Sequence, residues 1–93
     1  MTKIYEIRDV TDDEVYYAIG HFLDKEEAEK QLKNINPDSD SDAYHEDIAE
    51  FELVEIEIGM HGSRCKQVGK ALCTKRYDEG NDEYIWRLEF GAE

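Results

Sequence analysis

Apolar and polar positions alternate with a period of two near both ends of the chain, and a helical period replaces that alternation once between them. Lys3-Ile4-Tyr5-Glu6-Ile7-Arg8-Asp9-Val10 is β-branched, aromatic and charged in turn, and Glu14-Val15-Tyr16-Tyr17-Ala18-Ile19-Gly20 follows the acidic turn Thr11-Asp12-Asp13. The pattern predicts a hairpin. Side chains two apart point to one side of a strand, so Tyr5 and Ile7 are expected to share a buried face with Val15, Tyr17 and Ile19.

The helical period begins after Gly20-His21-Phe22-Leu23. Asp24 can accept from the backbone amides of a first turn, and Glu27, three residues on, completes a pair of the capping-box kind. Ala28, Leu32 and Ile35 form a narrow apolar stripe suited to resting on a sheet. Glu26 with Lys30 and Glu29 with Lys33 supply four-residue ion pairs on the outer side. Asn36-Pro37 ends the element, since proline cannot continue the hydrogen-bond ladder. A helix over 24–35 is predicted.

Residues 36–47, rich in Asp, Ser and Asn, read as a connection. After it, Ile48-Ala-Glu-Phe51-Glu-Leu53-Val54-Glu-Ile56-Glu-Ile58 alternates, but the apolar phase slips between Leu53 and Val54. A β-bulge at that point would absorb the slip and place Glu50, Glu52, Glu55 and Glu57 on a single outer face. Gly59 to Ser63 reads as a turn. Cys65, Val68 and Leu72 fit a helical stripe while Gly69 argues against one, so residues 62–70 are open between helix and strand. Ala71 to Tyr77 looks extended, Asp78 to Asp82 is a turn cluster, and Tyr84, Trp86, Leu88 and Phe90 alternate on a last strand. The expected architecture is α+β: a mainly antiparallel sheet of about five strands in the order ββαβββ, with the helix on one face, as a single domain over residues 1–93.

Charge changes the picture more than composition does. The 93 residues carry a net charge of −13, and it is polarised: residues 1–60 hold 18 acids against 5 bases, residues 61–77 hold 5 bases and no acid, and residues 78–93 hold 6 acids against 1 base. Such a surface repels nucleic acid and anionic membranes, which bind chiefly through Lys and Arg, and attracts basic surfaces over long range. No run approaches the roughly 20 apolar residues of a membrane helix, and the N-terminal residues lack the apolar core of a signal peptide. The expectation is a cytoplasmic chain. Two cysteines in that setting are expected to be reduced thiols, and on one continuous strand Cys65 and Cys73 would lie roughly 26 Å apart.

Three constellations could carry chemistry. Asp38, Asp40 and Asp42 place carboxylates at alternate positions and resemble the opening of an EF-hand loop, a calcium site. Ala43 stands where that family has glycine, and Ala49 where it has a bidentate glutamate, so the commoner reading is a solvated loop. His61 and Cys65, four apart, could share zinc with Cys73 and His45 or His21, although no CxxC or HxxxH pair reinforces them. Ser63, the cysteines and the histidines sit in no nucleophile elbow, phosphate loop or metalloprotease motif. Neither a cofactor nor an enzyme activity is expected.

What remains is binding. The expected function is a non-catalytic module that docks carboxylates on a basic surface of a macromolecular partner, such as a nucleic-acid-binding protein. Its candidate contact residues are Asp12, Asp13, Glu14, Asp38, Asp40, Asp42, Glu46, Asp47, Glu50, Glu52, Glu55 and Glu57. Carboxylates ranked on a strand can imitate rows of phosphates. The alternatives are a self-associating structural or regulatory domain, pairing as a homodimer, and the calcium loop. In size, charge and lack of catalytic motifs the chain resembles small acidic proteins of phages and mobile elements, including anti-CRISPR and anti-restriction inhibitors. That resemblance implies a phage-type inhibitor mimicking nucleic acid. The segment Tyr17-Ala-Ile-Gly-His-Phe-Leu-Asp-Lys-Glu-Glu-Ala-Glu29 is also similar to uncharacterised phage and bacterial proteins, and distantly to the strand-to-helix opening of sporulation-related peptidoglycan-binding domains. No functional residue is carried over from either.

Overall fold

A computed structural model describes residues 2–12, 14–37 and 48–92. They form one antiparallel sheet with a helix on one face: β1 (Thr2–Asp9), β2 (Tyr17–Phe22), α1 (Lys25–Lys33), β3 (Ile48–Gly59), β4 (Gly62–Asp78) and β5 (Glu83–Ala92). The spatial order is β2-β1-β3-β4-β5. The α+β class and the five-stranded antiparallel sheet with one helix therefore stand.

The helix is shorter than the sequence predicts. Asp24 is its N-cap, and its Oδ1 accepts from the Glu26 amide at 3.0 Å. It ends at Lys33, where the Asn34 amide bonds back to Gln31 and Leu32 and its side chain donates to the Lys30 carbonyl at 2.9 Å. Ala28 and Leu32, both without exposed surface, pack on Ile7, Ala49, Phe51, Leu53, Val68, Ala71 and Cys73, while Ile35, Phe22, Leu88 and Phe90 border this core. Burying the large members, Leu32, Phe51, Leu53 and Ile7, contributes about 1.5–3 kcal/mol each.

The first hairpin departs from its predicted parity. β1 does turn Tyr5 and Ile7 toward the helix, but they meet Phe22 and Gly20 on β2. A register shift between Ile7 and Arg8 leaves Ile19 without a Cα partner, and Val15, Tyr17 and Ile19 are exposed. Gly20 suits its place, since a Cβ there would come within 3.1 Å of the Phe22 ring.

Residues 62–70, open on sequence grounds, are strand. Gly59 pairs with Gly62 across the two-residue turn Met60-His61, and Gly62 takes the positive φ of 127° that favours glycine. Gly69 lies buried opposite Leu53.

The predicted bulge exists at the expected level but on the neighbouring strand. Leu53 pairs with Gly69 and Val54 with Gln67, so Val68 of β4 is the extra residue. β3 keeps unbroken register with β1, from Asp9 opposite Phe51 to Thr2 opposite Ile58. Alternation along β3 therefore continues through the slip, and its apolar side changes from one face of the sheet to the other. Ala49, Phe51 and Leu53 face the helix, whereas Val54, Ile56 and Ile58 face the opposite way. This overturns the single acidic face expected for β3: Glu50 and Glu52 lie on the helix-free face, and Glu55 and Glu57 lie on the helix side.

Candidate functional site

Four of the predicted contact residues converge. The connection from β1 to β2 folds over the helix-free face and is stitched to β3 by Val10 donating to the Glu50 carbonyl and by the Glu50 amide donating to Thr11 Oγ1, each at 2.9 Å. Thr11 is itself anchored on buried Asp9, whose Oδ1 accepts from the Thr11 hydroxyl at 2.7 Å and from its amide at 3.1 Å. The Glu14 amide donates to Asp12 Oδ1 at 3.0 Å and turns the chain toward Tyr16. These bonds leave a cleft of about 400 Å³ whose lining includes Asp12, Glu14, Val15, Tyr16, Glu50, Glu52, Gln67 and Lys70.

The cleft is anionic by composition. Asp12, Glu14, Glu50 and Glu52 line it against one ammonium, that of Lys70. Among the described residues Asp12, Glu14 and Glu50 take part in no ion pair. Glu52 is steadied by Gln67 Nε2 donating at 3.0 Å and by Arg8 Nη1 at 3.9 Å. Tyr16 and Val15 are half exposed, so an apolar edge accompanies the carboxylates.

Beside the cleft lies an ion network around buried Glu6, with half-buried Arg8 and exposed His21, that sequence reasoning missed. Glu6 Oε1 accepts from Arg8 Nε at 2.5 Å, its Oε2 lies 2.8 Å from His21 Nε2, and the Arg8 guanidinium sits 4.3 Å from the Tyr16 ring centroid. Burial works to raise the Glu6 carboxyl, but the hydrogen bonds and charges of Arg8 and His21 outweigh it and hold that carboxyl below its ordinary value. Burial likewise lowers Arg8, and Glu6 more than restores it, so the guanidinium stays charged. The signal in the sequence is the parity of Glu6 and Arg8, two apart and opposite in sign on one strand face, and the apolar residues Tyr5 and Ile7, which define the strand, mask it.

The other predicted residues are elsewhere. Glu55 joins a group at the far end of the helix-side face, where its Oε1 accepts from Tyr5 Oη at 3.2 Å and meets Lys3 Nζ at 3.6 Å. Glu57 is opposite Arg64. Asp13, Asp38, Asp40, Asp42, Glu46 and Asp47 lie outside the described residues, and with them the calcium reading. Among the described residues the zinc set is not assembled: Cys73 is buried under the helix, Cys65 is exposed on the other face opposite Ile56, His61 is at a hairpin turn and His21 is held by Glu6, while His45 lies outside the described residues. Among the described residues no three of His, Cys, Asp or Glu gather as metal ligands would. Both cysteines are free thiols, and burial pushes the Cys73 thiol up to about 11. No described helix is long and apolar enough to cross a membrane. Comparison with protein-family models, with curated proteins and with solved structures gave no match.

Proposed function

We propose that this protein is a non-catalytic binding module that takes a short basic segment of a partner protein into the cleft formed by Asp12, Glu14, Glu50 and Glu52. The observation that carries this reading is the convergence of those four carboxylates around a single lysine and an exposed tyrosine. A lysine or arginine entering there meets several carboxylates at short range, and an arginine can also lie against the Tyr16 ring, as Arg8 does from within the chain. The net charge of −13 adds long-range attraction, so association is fast at low salt and selective against acidic partners.

A long row of phosphate mimics is the less suitable picture, because the β3 acids divide between two faces. If the protein is an inhibitor of a nucleic-acid-binding partner, it works through a compact acidic cleft filled by a few basic side chains.

Titration of the full chain with a fluorescent hexa-arginine peptide tests the reading. Affinity is expected to fall steeply between low and physiological salt. Neutralising the cleft by Asp12→Asn, Glu14→Gln, Glu50→Gln and Glu52→Gln together is expected to weaken binding at least about tenfold, as two or more charge pairs are lost. A control with four acids removed outside the cleft, at Glu26, Glu29, Glu79 and Glu83, is expected to retain most of the affinity. Equal losses in both variants would mean that only total charge matters and that the cleft is no site.

A further inference from the structure

Beyond the cleft, β4 runs on with two bases, Arg64 and Lys66, beside an open strand edge. β5 pairs with β4 only from Gly69 opposite Ala92 onward, so among the described residues no strand lies along the outer edge of residues 62–68. The inner edge of the same stretch is occupied by β3, and that pairing shows what β4 accepts. Glu57 lies opposite Arg64, Ile56 opposite Cys65, Glu55 opposite Lys66 and Ile58 opposite Ser63. Alternating acidic and apolar side chains thus meet bases on one face of the sheet and continue an apolar stripe on the other.

An outer strand would meet the same alternation. On the helix side it would lie beside Arg64 and Lys66, both exposed and in no ion pair among the described residues. On the helix-free side its apolar residues would extend the row formed by Ile4, Ile56, Ile58 and exposed Cys65. A second copy of this edge is a poor occupant, because antiparallel pairing about Cys65 sets Arg64 of one copy against Lys66 of the other, and like charges directly opposite are destabilising.

From this we infer that the outer edge of β4 at residues 62–68 is a docking site for an extended partner segment that alternates acidic and apolar residues, added to the sheet as a further strand. Main-chain hydrogen bonds supply affinity and the two bases select the sequence. The site adjoins the cleft at Gln67, which lines the cleft, and prefers the opposite charge.

The test uses isotope-labelled full chain and two blocked peptides, Leu-Val-Glu-Ile-Glu-Ile-Gly, which repeats residues 53–59, and Leu-Val-Lys-Ile-Lys-Ile-Gly. The acidic peptide is expected to slow exchange of alternate amides within 62–68. Arg64→Gln with Lys66→Gln should weaken it by about tenfold, from two cross-strand charge pairs, whereas Arg64→Lys with Lys66→Arg should preserve it. Unchanged protection of the β3 and β4 amides in the free variants verifies that the hairpin still folds. The inference is overturned by equal binding of the lysine peptide, by protection confined to other residues, by the absence of binding at millimolar peptide, or by a dimer of the chain whose protected amides are those of 62–68.

Discussion

Two stretches of the same strand pair behave in opposite ways. Where β3 and β4 lie under the helix, Ala49, Phe51 and Leu53 with Ala71 and Cys73 fill the helix-side face, and none is more than 1% exposed. Past Val68, the helix-side face holds Glu55, Glu57, Lys66 and Arg64, and the isoleucines have crossed to the other side. The difference lies in the covering element: α1 covers only one part of the sheet, and the chain buries its apolar residues beneath it and exchanges faces where the helix no longer reaches. The bulge at Val68 lets β4 follow, turning Val68 inward while keeping its bases opposite the β3 acids.

Truncating one apolar side chain in each stretch is expected to separate the two most strongly. Phe51→Ala is expected to cost about 3–5 kcal/mol, the range for a buried phenylalanine, while Ile58→Ala, 44% exposed, is expected to cost under about 1 kcal/mol. Urea unfolding followed by circular dichroism checks both. Similar losses at the two sites would show that the far end carries a core of its own.

The network beside the cleft comes next. Glu6→Gln leaves the Arg8 charge short of its main partner and is expected to cost about 2 kcal/mol. Since Glu6 titrates below its ordinary value of 4.5 in the fold, the stability it contributes is full above that pH and is lost as pH falls through the folded value. Wild type should therefore weaken on acidification below 4.5 more steeply than Glu6→Gln, as read from denaturant midpoints across the acid range.

Smaller still is the cap. Asp24→Ala is expected to cost about 1 kcal/mol, the usual value for losing an N-cap oxygen, with the loss visible in the thermal midpoint. The cysteines separate the two faces by reactivity, not by stability. At neutral pH exposed Cys65 should react with a thiol reagent in the folded chain, while Cys73, buried and pushed up to about 11, should react only when the chain opens.

Much of this architecture was legible in local pattern. The Asp24 cap, the stripe of Ala28 and Leu32, the turn at Asp78 to Asp82 and the alternation of Tyr84 to Phe90 all follow from residues near in sequence, where propensity and period agree. What failed depends on pairing between distant strands. The slip at Leu53 and Val54 has two solutions, a bulge within β3 or a change of buried face, and choosing between them requires knowing how far the helix extends over the sheet. Phe22, not Ile19, borders the core for a related reason, since a register shift against Arg8 cannot be read from β2 alone. At the candidate site, the acids Asp12, Glu14, Glu50 and Glu52 were anticipated individually. Their grouping was not, because it depends on Thr11 tying the first connection to Glu50. Tyr16, Glu6 and Arg8 went unrecognised as neighbours of that grouping.

The claim that most needs testing is that cation recognition belongs to the cleft and not to the acidic surface as a whole. Amide shift mapping of the isotope-labelled chain with hexa-arginine at physiological salt addresses it directly. The changes are expected to centre on residues 10–16, 50–52 and 67–70, with the helix and residues 62–66 unmoved. Shifts spread evenly over the acids of the helix, β3 and the Asp78 to Asp82 turn would contradict it.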